Sequence, residues 1–168
     1  ATPAGYEAMG VLMGAGIPVN ATLIFSLSQA QGCLEAMERG IQQARERSTP
    51  AVLSVFVSRF DRKCDAALRE IGMEPGKLGI HNAERIYHAV NERNLKGVRT
   101  LFASTGVKGD GYPPSYYVDE LLFENCINTA PLDTLEAYER ESAKQPKTPT
   151  TPEELQSYFA DLAAKGFE

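Results

Sequence analysis

The sequence Val52-Leu53-Ser54-Val55-Phe56-Val57-Ser58-Arg59-Phe60-Asp61 decides how the rest of the chain is interpreted. Its β-branched and aromatic residues form a short apolar run that ends in charge, which predicts a buried strand of a parallel sheet. Because side chains alternate along a strand, Ser54 and Phe56 share one face and the aliphatic residues share the other. The strand would end at Ser58 and Arg59, and ligands of α/β proteins bind at such carboxyl ends. Taken alone, the run also fits an ordinary core strand followed by a solvated arginine.

The composition is that of one globular domain. A length of 168 residues is enough to bury a sizeable core. The net charge of −5, without any cluster of lysine and arginine, argues against a nucleic-acid partner. No apolar stretch is long enough to span a membrane, and no secretion signal is visible. Together with three widely spaced cysteines, Cys33, Cys64 and Cys126, these features predict a cytoplasmic protein with reduced thiols and no zinc site.

Strands and helices alternate along the chain, which predicts a parallel sheet built from βα units. Three further segments have the strand pattern: residues 17–25, 98–105 and 126–130. A capping box of Ser28 and Gln31 would open a helix over residues 29–47, Asp61 would cap a short helix, and another helix would cover residues 78–93. Four strands are too few to close a (β/α)8 barrel, which takes roughly 250 residues. A small doubly wound sheet is the alternative, although no glycine-rich phosphate motif follows any strand.

Polar residues recur in all four predicted strands. Strands covered on both faces should be nearly all apolar, and a buried polar group without a hydrogen bond costs a few kcal/mol. A polar pocket shared by the four strands explains the pattern better than scattered core residues that each find a partner, although both interpretations stay open. The residues are Asn20, Thr22, Ser54, Ser104, Thr105, Asn128 and Thr129.

Three of these segments resemble the transaldolases, class I aldolases of the pentose phosphate pathway. Val19-Asn20-Ala21-Thr22-Leu23-Ile24-Phe25-Ser26 resembles the fifth barrel strand of that family, Ser54-Val55-Phe56-Val57-Ser58-Arg59 the sixth, and Phe102-Ala103-Ser104-Thr105-Gly106-Val107-Lys108 the seventh. Ile127-Asn128-Thr129-Ala130-Pro131 resembles the eighth less specifically. The resemblance implies an α/β fold of the TIM-type (β/α)8 barrel class. Residues 1–143 would supply the last four βα units, residues 144–150 a linker, and residues 151–168 a helix that covers the pocket.

The resemblance also implies an activity, the transfer of a dihydroxyacetone unit between sugar phosphates through a lysine Schiff base, with no metal and no cofactor. Asn20 would hydrogen-bond the covalent intermediate, Thr22 would hold the catalytic water, and Ser54 would contact substrate hydroxyls. Among the residues that would bind substrate, Phe56 would line the pocket and Arg59 would bind the sugar phosphate. The second phosphate contact would come from Ser104 and Lys108.

The reacting groups of that family are expected outside this sequence. The Schiff-base lysine would lie just before Ala1 on the fourth strand, and a catalytic aspartate and glutamate on the first and third strands. Lys108 is the only lysine of this chain near a predicted strand end. The expected partners are therefore sugar phosphates and either the missing N-terminal half-barrel or a second copy. The alternatives are a fructose 6-phosphate aldolase relative and a non-catalytic phosphosugar-binding or assembly domain.

Overall fold

A computed structural model describes residues 1–44, 49–107 and 111–167. Four strands and seven helices lie within these ranges. The strands are β1 (Val19–Ile24), β2 (Ala51–Phe56), β3 (Val98–Ala103) and β4 (Cys126–Asn128). The helices are α1 (Pro3–Gly14), α2 (Leu27–Gln43), α3 (Ser58–Glu70), α4 (Leu78–Arg93), α5 (Tyr116–Glu120), α6 (Leu132–Glu141) and α7 (Pro152–Ala164).

The four strands form one parallel sheet in the order β1-β2-β3-β4. Each strand therefore lies beside its neighbour in sequence, with helices in the crossovers, as expected for successive βα units. The predicted α/β class and the four parallel strands are confirmed. All four carboxyl ends lie at the same edge of the sheet, so the polar residues that follow them are brought toward one another.

Helices cover one face of the sheet. Leu53, Val55 and Val57 are fully buried on that face, and Phe102 of β3 lies beside Val55 in the register. Aliphatic residues of α2 and α4 complete this core, which also includes Met37, Ile86 and Val90. Ser54 and Phe56 point the other way, as the sequence predicts. The alternation along β2 thus separates a helix-covered face from a second face, which is called the inward face below.

The second strand is shorter than predicted, because helical backbone begins directly after it. Val57 already has φ −109° and ψ −70°, and α3 starts at Ser58. Arg59 therefore lies in the first turn of α3 instead of at the end of a strand. Asp61 was expected as a helix cap and this expectation is wrong. It is a buried residue of α3, and its carboxylate accepts the backbone N–H of Gly79 in α4 at 2.9 Å.

The capping box of α2 is Ser26 with Gln29, so the predicted pair Ser28 and Gln31 is wrong. Both pairs have the same spacing, and the difference is backbone conformation. Ser26 is extended, with φ −138° and ψ 156°, as an N-cap residue must be. Ser28 already lies inside the helix. The predicted helix end near residue 47 lies outside the described residues, and α2 ends at Gln43.

The C-terminal helix α7 packs against α3 and α4. Thr151 and Glu154 form its capping box. Leu162 joins Leu68, Met73 and Leu78 in a small second core. The residue before the cap, Thr150, donates from its backbone N–H and its hydroxyl to the buried carboxylate of Glu84, at 2.9 and 3.0 Å. That α7 covers the pocket stays a prediction.

The two histidines of α4 hold the segment that leads into α7. The Nδ1 of His81 lies 2.8 Å from the carboxylate of Glu84, and its ring packs at a tilt against Tyr158 of α7. The Nε2 of His88 lies 2.7 Å from the carbonyl oxygen of Thr150. Both side chains therefore make structural contacts.

Gly79 allows α4 to begin against the end of β2. A Cβ atom at this position would lie 2.5 Å from the carbonyl oxygen of Val57. Gly79→Ala should therefore lower the free energy of unfolding by roughly 1–3 kcal/mol, the usual cost of overpacking. Gly14→Ala is the matched control in a helix, because its Cβ would meet nothing closer than 3.6 Å. The control should be neutral or slightly stabilising. Urea denaturation measures both variants, and equal effects would contradict the close approach.

Candidate active site

Asn20 and Ser54 meet on the inward face. The Ser54 hydroxyl donates to the Oδ1 of Asn20 at 2.7 Å. Ser54 is 3% exposed, so this bond satisfies a hydroxyl that would otherwise be buried alone. Asn20 is exposed, and its side-chain amide remains available to a ligand. The sequence predicted a polar pocket shared by the strands, and the structure brings these two of its residues into direct contact.

A β-bulge lies at Thr22. The register pairs Ala21 with Leu53 and Ile24 with Val55, so Thr22 and Leu23 together lie opposite Ser54 alone. Leu23 takes the left-handed conformation, with φ 57°, which is uncommon for leucine. Bulges re-aim side chains and occur often beside active sites. Thr22 is exposed at the bulge. No glycine or asparagine marks this conformation in the sequence, and sequence reasoning missed it.

An aromatic cluster supports Arg59. The guanidinium carbon of Arg59 lies 4.9 Å from the ring centroid of Phe56. The Phe56 ring lies 5.3 Å from that of Phe25, which in turn lies 5.9 Å from Phe60. Stacking on an aromatic face restrains a guanidinium while leaving its N–H groups free to bind an anion. Arg59 is exposed, so an anion can reach it.

The ends of β2 and β3 are joined through two serines. The backbone N–H of Ser58 donates to the carbonyl oxygen of Ser104 at 2.9 Å, and their hydroxyl oxygens are 3.0 Å apart. Ser104 is left-handed, with φ 56°, which turns the chain away from the sheet. Ser104 therefore lies close to the first turn of α3, which carries Arg59. Lys108 lies outside the described residues.

Asn128 does not belong to the inward face, so its predicted place in a shared pocket is wrong. It pairs in the register with the fully buried Phe102, and its side-chain amide donates to the carbonyl oxygen of Leu121 at 3.0 Å. The strand ends at Asn128, earlier than predicted, and Thr129 follows it. The buried hydroxyl of Thr105 donates to the carbonyl oxygen of Thr129. Thr105 therefore joins β3 to β4 and does not face a ligand.

The lysines of the described residues lie on helices, turns or the segment before α7, away from the inward face. Lys77 and Lys147 both pair with Glu120 at 3.0 Å. Burial lowers the pKa of Lys77, but its hydrogen bond to Glu120 and the nearby negative charges outweigh burial and raise the pKa overall. A Schiff-base lysine needs a depressed pKa. The surroundings of Lys77 therefore raise its pKa, whereas a Schiff-base lysine needs surroundings that lower it.

Asp61 is a buried ionisable group that sequence reasoning did not single out as one. Its side chain is fully buried, and its Oδ2 accepts no hydrogen bond of normal geometry within the described part of the chain. Burial raises the pKa of Asp61 to about 6, although the Gly79 N–H and the nearby Tyr117 hydroxyl lower it in part. Asp61 also lines a cavity of about 240 Å³ with Ser58, Arg62, Asp65, Tyr112 and Tyr117 among its other lining residues.

A sequence model of the transaldolase/fructose-6-phosphate aldolase family matches residues 1–168. The chain belongs to this family. A transaldolase of Campylobacter jejuni (strain 81-176) is 49% identical over 148 residues, which cover 82% of this chain and 44% of the relative. A transaldolase of Helicobacter pylori (strain Shi470) is 38% identical over 164 residues, which cover 98% of this chain and 49% of the relative.

The chain spans about half the length of the curated relatives it matches. The match to the transaldolase/fructose-6-phosphate aldolase family confirms the resemblance drawn from the strand segments. The four parallel βα units described above agree with part of a (β/α)8 barrel, the fold that the resemblance implies for the transaldolases. Within the described ranges, no helix combines the length and the apolar character that crossing a membrane requires.

Asp61→Asn should stabilise the protein at neutral pH. The pKa of Asp61 is raised from 3.8 to about 6, so folding favours its protonated form. The stability that Asp61 adds by holding its proton in the folded state is present in full below about pH 4 and is lost as the pH rises through 6. Asparagine keeps the acceptor for Gly79 and does not ionise. The free energy of unfolding at pH 8 should rise by up to about 3 kcal/mol.

Urea denaturation at pH 8 and pH 4 measures the effect of Asp61→Asn, and the gain should disappear at pH 4. Asp161→Asn, on the exposed surface of α7, is the control and should change little at either pH. A variant that is less stable than the parent at pH 8 would contradict the assigned pKa.

Proposed function

We propose that the protein is a transaldolase and that residues 1–168 supply the substrate-positioning half of its active site. The observation that carries the proposal is the contact of Ser54 with Asn20 on the inward face, beside Phe56 and Arg59 at the carboxyl end of β2. Membership of the transaldolase/fructose-6-phosphate aldolase family supports it. The relatives named transaldolase favour transfer over simple cleavage. In the proposed reaction a lysine forms a Schiff base with a ketose phosphate, the C3–C4 bond breaks, and the resulting enamine adds to an aldose phosphate.

Asn20 and Ser54 would orient the covalent intermediate. Their mutual hydrogen bond fixes the Oδ1 of Asn20 and leaves its Nδ2 donors to an oxygen of the substrate. A preorganised donor of this kind stabilises charge without reorganising during the reaction. Thr22, exposed at the bulge, would hold a water that carries a proton between the intermediate and a carboxylate from another strand.

Arg59 would bind the phosphate of the substrate. Its guanidinium is always charged and can donate two parallel hydrogen bonds to phosphate. Stacking on Phe56 orients the guanidinium in advance, which lowers the entropy lost on binding. Ser104, whose hydroxyl oxygen lies 3.0 Å from that of Ser58 in the first turn of α3, would supply a second contact. The role of Lys108 in the same contact stays a prediction.

A second set of strands would complete the sheet and supply the reacting lysine. Within the described residues, β1 and β4 each have one unpaired edge. Large apolar residues are exposed near both edges. Val11 of α1 is 71% exposed and Leu23 of β1 is 49% exposed, while Leu132 of α6 is 72% exposed at the other end. Unpaired edges and apolar patches of this kind mark surfaces that another element covers. The remaining half of a barrel would cover both edges at once.

Arg59→Ala should raise the KM for phosphorylated substrates. Losing a charged hydrogen bond costs about 1.5–3 kcal/mol, which corresponds to roughly a 10- to 100-fold increase, with a smaller change in kcat. Arg62→Ala is the matched control, since Arg62 is an exposed arginine one turn further along α3. Steady-state kinetics with fructose 6-phosphate and erythrose 4-phosphate measure both variants. An unchanged KM for Arg59→Ala would remove Arg59 from the phosphate site.

Residues 1–168 alone should form no Schiff base, because the proposal places the reacting lysine outside them. Treatment with fructose 6-phosphate and borohydride, followed by intact mass measurement, should leave the chain unmodified. The same treatment of a protein in which the other half of the barrel is present should give one stable adduct. An adduct on residues 1–168 alone would place the nucleophile in this chain and contradict the proposal.

A further inference from the structure

Asn82 of α4 reaches across the structure to the carboxyl end of β1. Its side-chain Nδ2 donates to the carbonyl oxygen of Phe25 at 3.0 Å, although 57 residues separate the two in sequence. Asn82 is 3% exposed, and burying an amide is unfavourable unless its polar atoms are bonded. Phe25 directly follows β1, so its carbonyl oxygen has no strand partner to satisfy it. The Asn82 amide supplies that donor.

Phe25 is held from both sides of its backbone. The side chain of Gln29 accepts the Phe25 N–H at 2.8 Å, and Asn82 donates to the Phe25 carbonyl oxygen. These two bonds fix the backbone from which the Phe25 ring projects, and that ring lies 5.3 Å from the ring of Phe56. Phe56 in turn carries the guanidinium of Arg59. A continuous series of contacts thus runs from α4 to the proposed phosphate-binding arginine.

The same series extends to the C-terminal helix. The Nη2 of Arg85 donates to the Oδ1 of Asn82 at 3.0 Å, which fixes the orientation of the amide. The guanidinium carbon of Arg85 lies 4.0 Å from the ring centroid of Phe159 in α7. A guanidinium at this distance from an aromatic ring is attracted by the face of the ring. Phe159 therefore restrains Arg85, which restrains Asn82.

We infer that Asn82 is a positioning residue for substrate phosphate, acting through Phe25 and Phe56 on Arg59, and that α7 sets its orientation through Arg85. The inference rests on the proposed function, because it assumes that Arg59 binds the phosphate. The hydrogen bonds of the Asn82 side chain go to Phe25 and Arg85, so Asn82 would act on Arg59 indirectly. Its effect is on KM, since the chemical groups that react lie elsewhere.

The test is a double-mutant cycle on Asn82 and Arg59, measured by steady-state kinetics in the complete protein. Asn82→Ala should raise the KM for fructose 6-phosphate about tenfold and leave kcat within about twofold, as expected for one lost hydrogen bond that acts on binding. In the Arg59→Ala background the same substitution should change KM by less than about twofold, because coupled residues are non-additive. Asn91→Ala, the matched control near the other end of α4, should leave KM unchanged.

A merely structural role gives a different result. General destabilisation lowers the active fraction, so the apparent kcat falls while KM stays unchanged. A KM effect of Asn82→Ala that persists in the Arg59→Ala background shows instead that Asn82 acts independently of Arg59. Either of those outcomes overturns the inference. If Asn82→Ala does not fold, the same kinetics are measured on Arg85→Lys and Phe159→Leu. A KM for fructose 6-phosphate that rises about threefold in these variants supports the series of contacts, and an unchanged KM overturns it.

The kinetics also separate the two proposals. An Arg59→Ala variant with raised KM, beside an Asn82→Ala variant with unchanged KM, contradicts the role of Asn82 alone. An unchanged KM in Arg59→Ala contradicts the phosphate role of Arg59, and the inference about Asn82 then fails with it.

Discussion

The parallel register that ties β2 to its two neighbours is the constraint on which the site depends. Ala51 to Phe56 pair without a break with Val98 to Ala103. Because side chains alternate, a shift of one residue would turn Ser54 into the core and Val55 out of it. The fully buried Leu53, Val55 and Val57 make that shift costly, since each would expose an aliphatic side chain. The burial of the aliphatic residues of β2 in the core therefore fixes Ser54 and Phe56 on the inward face.

The sequence predicts the elements that rest on local pattern. The alternation in β2 and the helix Leu78–Arg93 both follow from spacing along the chain. The polar positions of β1 and β2 predicted a shared pocket, and the hydrogen bond between Asn20 and Ser54 agrees with it. Where two nearby residues offer the same capping pattern, spacing alone does not show which of them caps the helix. Ser26 and Ser28 offer the same capping box, and only the point at which β1 ends selects Ser26.

The features that sequence reasoning missed depend on contacts between distant segments. Asn128 has the same polar character as Asn20, but its register with Phe102 places it on the helix-covered face, where its amide donates to the Leu121 carbonyl oxygen. Asp61 binds the N-terminal turn of α4, and Asn82 binds the end of β1. In each case a buried polar group satisfies backbone that a strand or helix end leaves unpaired. Residue type gives no indication of which distant backbone group will be the partner.

In the proposed function, the inward face of β1 and β2 holds the substrate while a lysine from outside residues 1–168 reacts with it. The decisive experiment is a crystal structure of the complete protein, trapped with fructose 6-phosphate and borohydride. The account predicts that the reduced adduct lies on this face, with Asn20 bonded to its hydroxyls and Arg59 bonded to its phosphate. An adduct that contacts neither Asn20 nor Arg59 would contradict the account.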